Sequence, residues 1–392
     1  MGFFMFQGEN LQKIRTLYGL SRKELGEQLQ LSEQAIWQFE NQITNPKFEV
    51  MVKLKELFDV KTQFFLQDSK SEAVFQEGSV AYRLADIHSR KKTYTEVTYL
   101  QFIYDVITQL ESYVNVPMGE IHELRNKTLQ LYYQEASPEK RIQAIATLAR
   151  EVLAIAPDNG DLLLKLEKSG IYVVEKDIGD KADAYSAWSA NNVAFIVLGI
   201  KKSAVRRQFD LAHELGHLLM HHNIDILSLD KTTYNQLESE ANQFAANFLL
   251  PEDIILPEFQ KLKKVSNPDT YIELKAKYNV SIQALEMRAY KLGFLTPQQN
   301  SYFYRQITYK GYKTEERLDS DMPLKRPGKI RSLFHVILSN QLTTLQDMED
   351  VLKIKTALLE KLFSIESTFF ERYQANETFS NYGEILRPKF NM

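Results

Sequence analysis

The sequence contains no cysteine in 392 residues. That absence excludes a disulfide scaffold, a thiolate metal site and a cysteine nucleophile together. Nor does one charge dominate: 48 Lys plus Arg stand against 51 Asp plus Glu, a formal net charge of −3. Such a balance excludes a protein that coats nucleic acid over its whole surface and leaves room for one local binding face. No apolar run reaches the roughly 18 residues that a membrane span needs. The stretch Met1 to Gln7 is apolar, but it is too short for the core of a secretion signal and has no basic residue ahead of it. There is no repeat of solenoid period and no low-complexity tract. A cytoplasmic protein without a membrane partner is the expectation these absences leave.

What is present is globular: 44 % of the residues are apolar, and the length suits two to three domains at about 100–200 residues each. From Asn10 to Phe65 apolar residues fall at helical spacings broken by short turns, with Leu11, Ile14 and Leu17, then Leu25 and Leu29, then Ile36 and Phe39, then Val50, Leu54 and Leu57. Four or five short helices are implied. Ser21 and Ser32 stand at N-cap positions, and Gly19 stands where a glycine would end the first helix. The polar stretch 67–81 reads as a linker. Helical periodicity returns over 94–114 and 138–155. After Gly170 come three short β-rich runs, Ile171 to Val174, Ala184 to Trp188 and Val193 to Leu198, with Asn191-Asn192 as a hairpin turn. Helices are expected again at about 203–222, 234–249, 269–278 and 281–292, and in the tail at 330–340, 343–352 and 355–372. The basic run Lys325 to Arg331 reads as a solvated loop.

The sharpest feature is His213-Glu214-Leu215-Gly216-His217. On a helix, positions i and i+4 put both imidazoles on one face, aimed at one ion. A third ligand is needed, and the helix beginning near Leu237 offers Glu238 or Glu240. These two lie about 200° apart around a helix, so only one faces the metal. Glu238 shares a face with Ala241 and Asn242 and is preferred, with Glu240 the alternative; Asn242 would then orient a ligand histidine from behind. Two histidines and a glutamate with an open fourth position are the zinc-peptidase arrangement. Glu214, adjacent to the metal but not bound to it, is placed to move the proton of the attacking water. His221 and His222 miss the offset of a third histidine ligand and read as last-turn residues meeting the helix dipole.

The stretch Ser21 to Asn41 reads as helix, tight turn, helix, and Gly26 would let the two helices cross closely. A second helix capped by Ser32 would present Glu33, Gln34, Trp37 and Gln38 outward, with glutamine suited to bidentate contact with adenine. Arg22, Lys23 and Lys47 are candidate phosphate contacts.

Residues 10–66, carrying Leu17-Tyr18-Gly19-Leu20-Ser21, Leu31-Ser32 and Trp37 to Asn41 followed by Asn45-Pro46, resemble the XRE-type helix-turn-helix of phage-repressor-like regulators. Gln30 stands at the turn position where such proteins usually have glycine. Residues from about 140 to 293, carrying Arg206 to Leu219, Glu238 to Asn242 and Leu249-Leu250-Pro251, resemble the ImmA/IrrE family of zinc metallo-endopeptidases. The resemblance implies that His213, His217 and Glu238 hold Zn2+, that Glu214 is the base, and that the substrate is a repressor of the same regulatory circuit. The small helical unit from Ser281 to Leu295 is similar to one that often follows this protease and reads as packing support.

The expected fold is α+β, mostly α. It comprises a five-helix helix-turn-helix domain (1–68), a helical linker region (69–137), a zincin-like domain with about three strands and the His-Glu-x-x-His helix (138–295), and a mainly helical C-terminal region (296–392). The expected function is that of a transcriptional regulator binding a double-stranded DNA operator, possible as a homodimer, whose endopeptidase domain cuts a partner repressor or itself. The alternative is a non-enzymatic repressor or antitoxin-like protein in which the metal domain is structural or binds a partner.

Overall fold

The computed structural model describes residues 5–67, 73–79, 90–134, 137–179, 184–222 and 224–373. Residues 68–72, 80 and 81 of the polar stretch 67–81, and the end of the tail, lie outside them. The chain divides into two compact units. One takes in the described residues of Met1–Glu77, His88–Val116 and Ile330–Met392, the other those of Gly78–Ile87 and Pro117–Lys329. Helices on both sides of the sequence division at 138 and 295 thus belong with the zincin-like strands, and the C-terminal helices belong with the N-terminal ones.

The first unit is helical. It begins with α1 (Gly8–Leu17), α2 (Arg22–Leu29), α3 (Glu33–Glu40), α4 (Phe48–Leu57) and a 3₁₀ turn at Thr62–Phe65, so the fifth element of the expected domain is a single tight turn. Ser21 and Ser32 cap α2 and α3 as their positions imply, Ser21 in a full capping box with Glu24. Gly19 has φ +67°, the left-handed conformation that ends a helix. A Cβ on Gly26 would stand 2.8 Å from the Leu31 carbonyl oxygen, which is the close approach the glycine permits. The unit is completed by α5 (Arg90–Glu111), α15 (Lys329–Ser339), α16 (Leu345–Leu352) and α17 (Thr356–Phe363). Ser364, with φ 49°, breaks the helix expected over 355–372.

The α16–α17 hairpin has the spacing of α2–α3. Ser21, eight helical residues, left-handed Gln30, Leu31, the cap Ser32 and eight more residues are matched by Thr344, eight residues, left-handed Lys353, Ile354, the cap Lys355 and eight residues. Here the second helix is turned inward: Thr356, Leu358, Leu359, Leu362 and Phe363 are buried. Val60 pairs with Ile354 in an isolated antiparallel bridge, and the Tyr99 hydroxyl donates to the Leu362 carbonyl oxygen at 2.7 Å.

The second unit is built on three strands, β1 (Tyr172–Lys176), β2 (Ala184–Trp188) and β3 (Ala194–Gly199), in the order β1-β3-β2. β1 runs parallel to β3 with Tyr172 opposite Phe195; β2 runs antiparallel to β3 with Trp188 opposite Ala194. Asn192, with φ 59°, forms the expected β2–β3 turn. Nearly every strand residue is buried, so both faces are covered, and this is why the runs read as continuously apolar. α8 (Leu162–Lys168) packs against β1 and α9 (Ala204–Met220) against β2 and β3, while α6 (Ile121–Gln134) and α10 (Lys231–Leu249) pack on α9, and α7 (Pro138–Val152) on both of them. Ile145, Leu166, Ile196, Leu215 and Phe244 share their core. Beyond α10 come α11 (Glu252–Phe259), α12 (Ile272–Tyr278), α13 (Ile282–Lys291) and α14 (Pro297–Tyr309). The run expected to be a solvated loop, Lys325 to Arg331, is exposed at Lys325 and Arg326 but anchored. Arg326 pairs with Glu175 at 3.4 Å, the amides of Gly328 and Lys329 donate to Glu167, and the Lys329 ammonium lies 3.8 Å from the Tyr172 ring centre.

Candidate functional site

α9 starts at Ser203, whose hydroxyl accepts from the Arg206 amide, and its last three turns are buried. It is pinned to the sheet by the Trp188 indole N–H, which donates to the Leu218 carbonyl oxygen at 2.9 Å. α10 is capped by Asp230, which accepts from the amides of Thr232 and Thr233. The two helices meet at Gly216, where an added Cβ would stand 3.0 Å from the Phe244 ring. That contact draws α10 in close enough to deliver a carboxylate to the histidines. Gly216 lies inside the motif, yet its spacing role is invisible until Phe244 is seen opposite.

His213, His217 and Glu238 converge, with one donor atom of each lying within 4.8 Å of the others. The two Nε2 atoms are 3.1 Å apart, His217 Nε2 is 3.3 Å from Glu238 Oε1, and His213 Nε2 is 3.6 Å from Glu238 Oε2. Donors about 2.0–2.1 Å from a tetrahedral zinc lie roughly 3.3 Å from one another, so these residues fit a zinc ion. The rear of each donor is held. His213 Nδ1 faces Asn242 Oδ1 at 3.1 Å, which puts a proton on Nδ1 and leaves Nε2 free to bind. The Tyr234 hydroxyl donates to Glu238 Oε1 at 3.0 Å. Burial works against ionisation of Glu238, but its contacts with His217 and His213 and with the Tyr234 hydroxyl outweigh it and hold the carboxyl at about 2.

Glu214 is buried on the same helix, and its Oε2 accepts from the Ser186 hydroxyl of β2 at 2.7 Å. Burial, opposed by His217 and Ser186, pushes its carboxyl up to about 7. Ser186 is a hydroxyl residue within a fully buried strand, and that placement is its signal in the sequence.

Glu240 faces away from the converging donors, as its position on the helix implies, and His221 is the C-cap of α9, but the two meet each other. Glu240 Oε2 lies 3.2 Å from His221 Nε2 and accepts from the Tyr132 hydroxyl at 2.9 Å, while Oε1 accepts from the Gln236 amide at 3.2 Å. His221 is buried, and its Nδ1 lies 3.0 Å from His217 Nδ1. The histidine at the C-terminal end of α9 is thus packed behind His217, and burial pushes its imidazole down to about 4, in the neutral form.

In the first unit Glu33, Gln34 and Trp37 are exposed on α3 and Gln38 is half-buried, while Lys23 and Lys47 are exposed. Ser32 serves as the cap, its Oγ accepting from Ala35. Arg22 is committed elsewhere. Its Nε lies 2.5 Å from Oε2 of buried Glu40, whose Oε1 is 2.5 Å from Arg15 Nε, so this cation ties α2 to α3 rather than reaching for phosphate.

Fold and site define a metallopeptidase-like domain carried in one chain with a DNA-binding helix-turn-helix. Residues 166–290 match the peptidase-family model described as an IrrE N-terminal-like domain, and residues 11–65 match a helix-turn-helix model. The chain thus joins an XRE-type helix-turn-helix domain to an ImmA/IrrE-like peptidase-family domain. No curated protein matches the chain. Among the described residues no helix is long and apolar enough to cross a membrane.

Proposed function

We propose that this protein is a DNA-binding regulator whose second unit is a zinc-dependent endopeptidase, cutting a peptide bond in a partner repressor or in the chain itself. The observation that carries the reading is the convergence of His213, His217 and Glu238 at tetrahedral spacing, with Glu214 buried on the same helix, next to His213 in sequence. His213, His217 and Glu238 hold the ion, and Asn242 keeps His213 in the binding tautomer. Zinc bound there supplies positive charge that polarises the scissile carbonyl and acidifies a water. Glu214 takes the proton of the attacking water and returns it to the leaving amine nitrogen, a task suited to a carboxyl raised toward neutrality. Ser186 of buried β2 bonds the base and holds its carboxylate in place. α3 reads the operator through Gln34, Trp37 and Gln38, with Lys23 and Lys47 on phosphates.

The test is Glu214→Gln. Wild type and variant, each loaded with one equivalent of zinc, are incubated alone and with a soluble proteome, and newly formed N-termini are labelled and sequenced by mass spectrometry. Termini made by wild type should fall about 10²–10⁴-fold with the variant, at unchanged zinc content. An identical set of termini from both proteins contradicts the reading.

A further inference from the structure

Behind the proposed zinc ligands lies a chain of buried polar groups that the reaction itself does not use. His217 Nδ1 lies 3.0 Å from His221 Nδ1, His221 Nε2 lies 3.2 Å from Glu240 Oε2, and that carboxylate is steadied by Tyr132 at 2.9 Å, by Gln236 at 3.2 Å and by the Arg141 guanidinium at 3.7 Å. The proton positions along it are determined by its far end. Glu240 accepts only, so His221 carries its proton on Nε2; its Nδ1 is then an acceptor, and His217 must carry its own proton on Nδ1. That tautomer leaves the His217 Nε2 lone pair facing His213 and Glu238.

We infer that His221 and Glu240 are positioning residues that fix the tautomer and ring orientation of His217 for metal binding, the counterpart of Asn242 behind His213. The inference rests on the zinc reading above and adds residues to it. It also accounts for two carboxylates so close in sequence facing different ways: Glu238 meets the ion and Glu240 sets a ligand.

The test uses the full chain and zinc alone, with affinity read by competition against a chelator of known strength and folding checked by thermal melting. His221→Leu should weaken zinc binding about 10- to 100-fold. His221→Asn, whose Oδ1 stands near the position of the lost Nδ1, should recover most of that loss. In zinc-loaded wild type, imidazole ¹⁵N shifts should place the His221 proton on Nε2. Wild-type affinity in His221→Leu, no recovery in His221→Asn, or a proton on His221 Nδ1 each overturns the inference while leaving the zinc centre standing. A wild-type chain that takes up no zinc overturns both.

Discussion

The α9–α10 and α2–α3 pairs each close at a glycine, Gly216 against Phe244 and Gly26 against Leu31, yet they place their polar residues on opposite sides of the contact. Between α9 and α10 the polar groups are inside. His213, Glu214, His217, His221 and Glu240 are all buried, and each has a partner that fixes its orientation. Between α2 and α3 only Glu40 is inside, neutralised by Arg15 and Arg22, while Glu33, Gln34 and Trp37 face outward. A buried polar group is costly unless bonded, so the inner site must specify its own geometry. An outer site needs only a firm platform and takes its geometry from what it binds. The α16–α17 hairpin sharpens the lesson: it shares the spacing of α2–α3, but with α17 buried it serves as packing.

The hardest blow to the comparison would come at Glu40. Replacing it with alanine leaves two guanidinium groups facing each other without their carboxylate, and the helix-turn-helix unit should lose about 3–5 kcal/mol in chemical denaturation; a loss below about 1 kcal/mol would mean the platform does not depend on that pair. Gln34→Ala should leave stability unchanged but weaken binding to DNA recovered from a randomised pool by about 1–3 kcal/mol, measured by titration. If the same substitution lowers stability instead, α3 is not a free surface.

A third test contrasts Glu40 with Glu286, which is fully buried on α13 and whose carboxyl burial pushes up from 4.5 to about 7. With the folded value raised, the stability this group contributes is complete below pH 4.5 and is lost as pH rises through 7. Glu286→Gln should therefore stabilise at pH 8 by on the order of 1–2 kcal/mol and change little at pH 4.5, as read from melting curves at both pH values. The smallest effect is expected at left-handed Gln30, φ 58°. Gln30→Gly should add about 0.5–1 kcal/mol, and a loss of stability there would show that the Gln30 side chain does more than turn the chain.

Local signals carried much of this. Ser21, Ser32 and Gly19 marked helix ends because capping is a short-range matter, and the i, i+4 histidines announced a shared face before any packing was known. Glu238 could be preferred over Glu240 from helical geometry alone. What sequence spacing could not convey was contact across elements: Ser186 reaching Glu214 from a strand, Gly216 set against Phe244, His221 and Tyr132 meeting at Glu240, and Arg22 bending back to Glu40. The α16–α17 hairpin stayed hidden because its match to α2–α3 lies in caps and a left-handed residue, while its side chains follow a buried pattern.

On the proposed reading, one zinc ion is held by His213, His217 and Glu238. Elemental analysis of the chain purified without added metal, beside a His213→Ala, Glu238→Ala variant of unchanged melting behaviour, tests it most directly. One zinc per wild-type chain, absent from the variant, is the expected result; no zinc in either protein, or equal zinc in both, would contradict it.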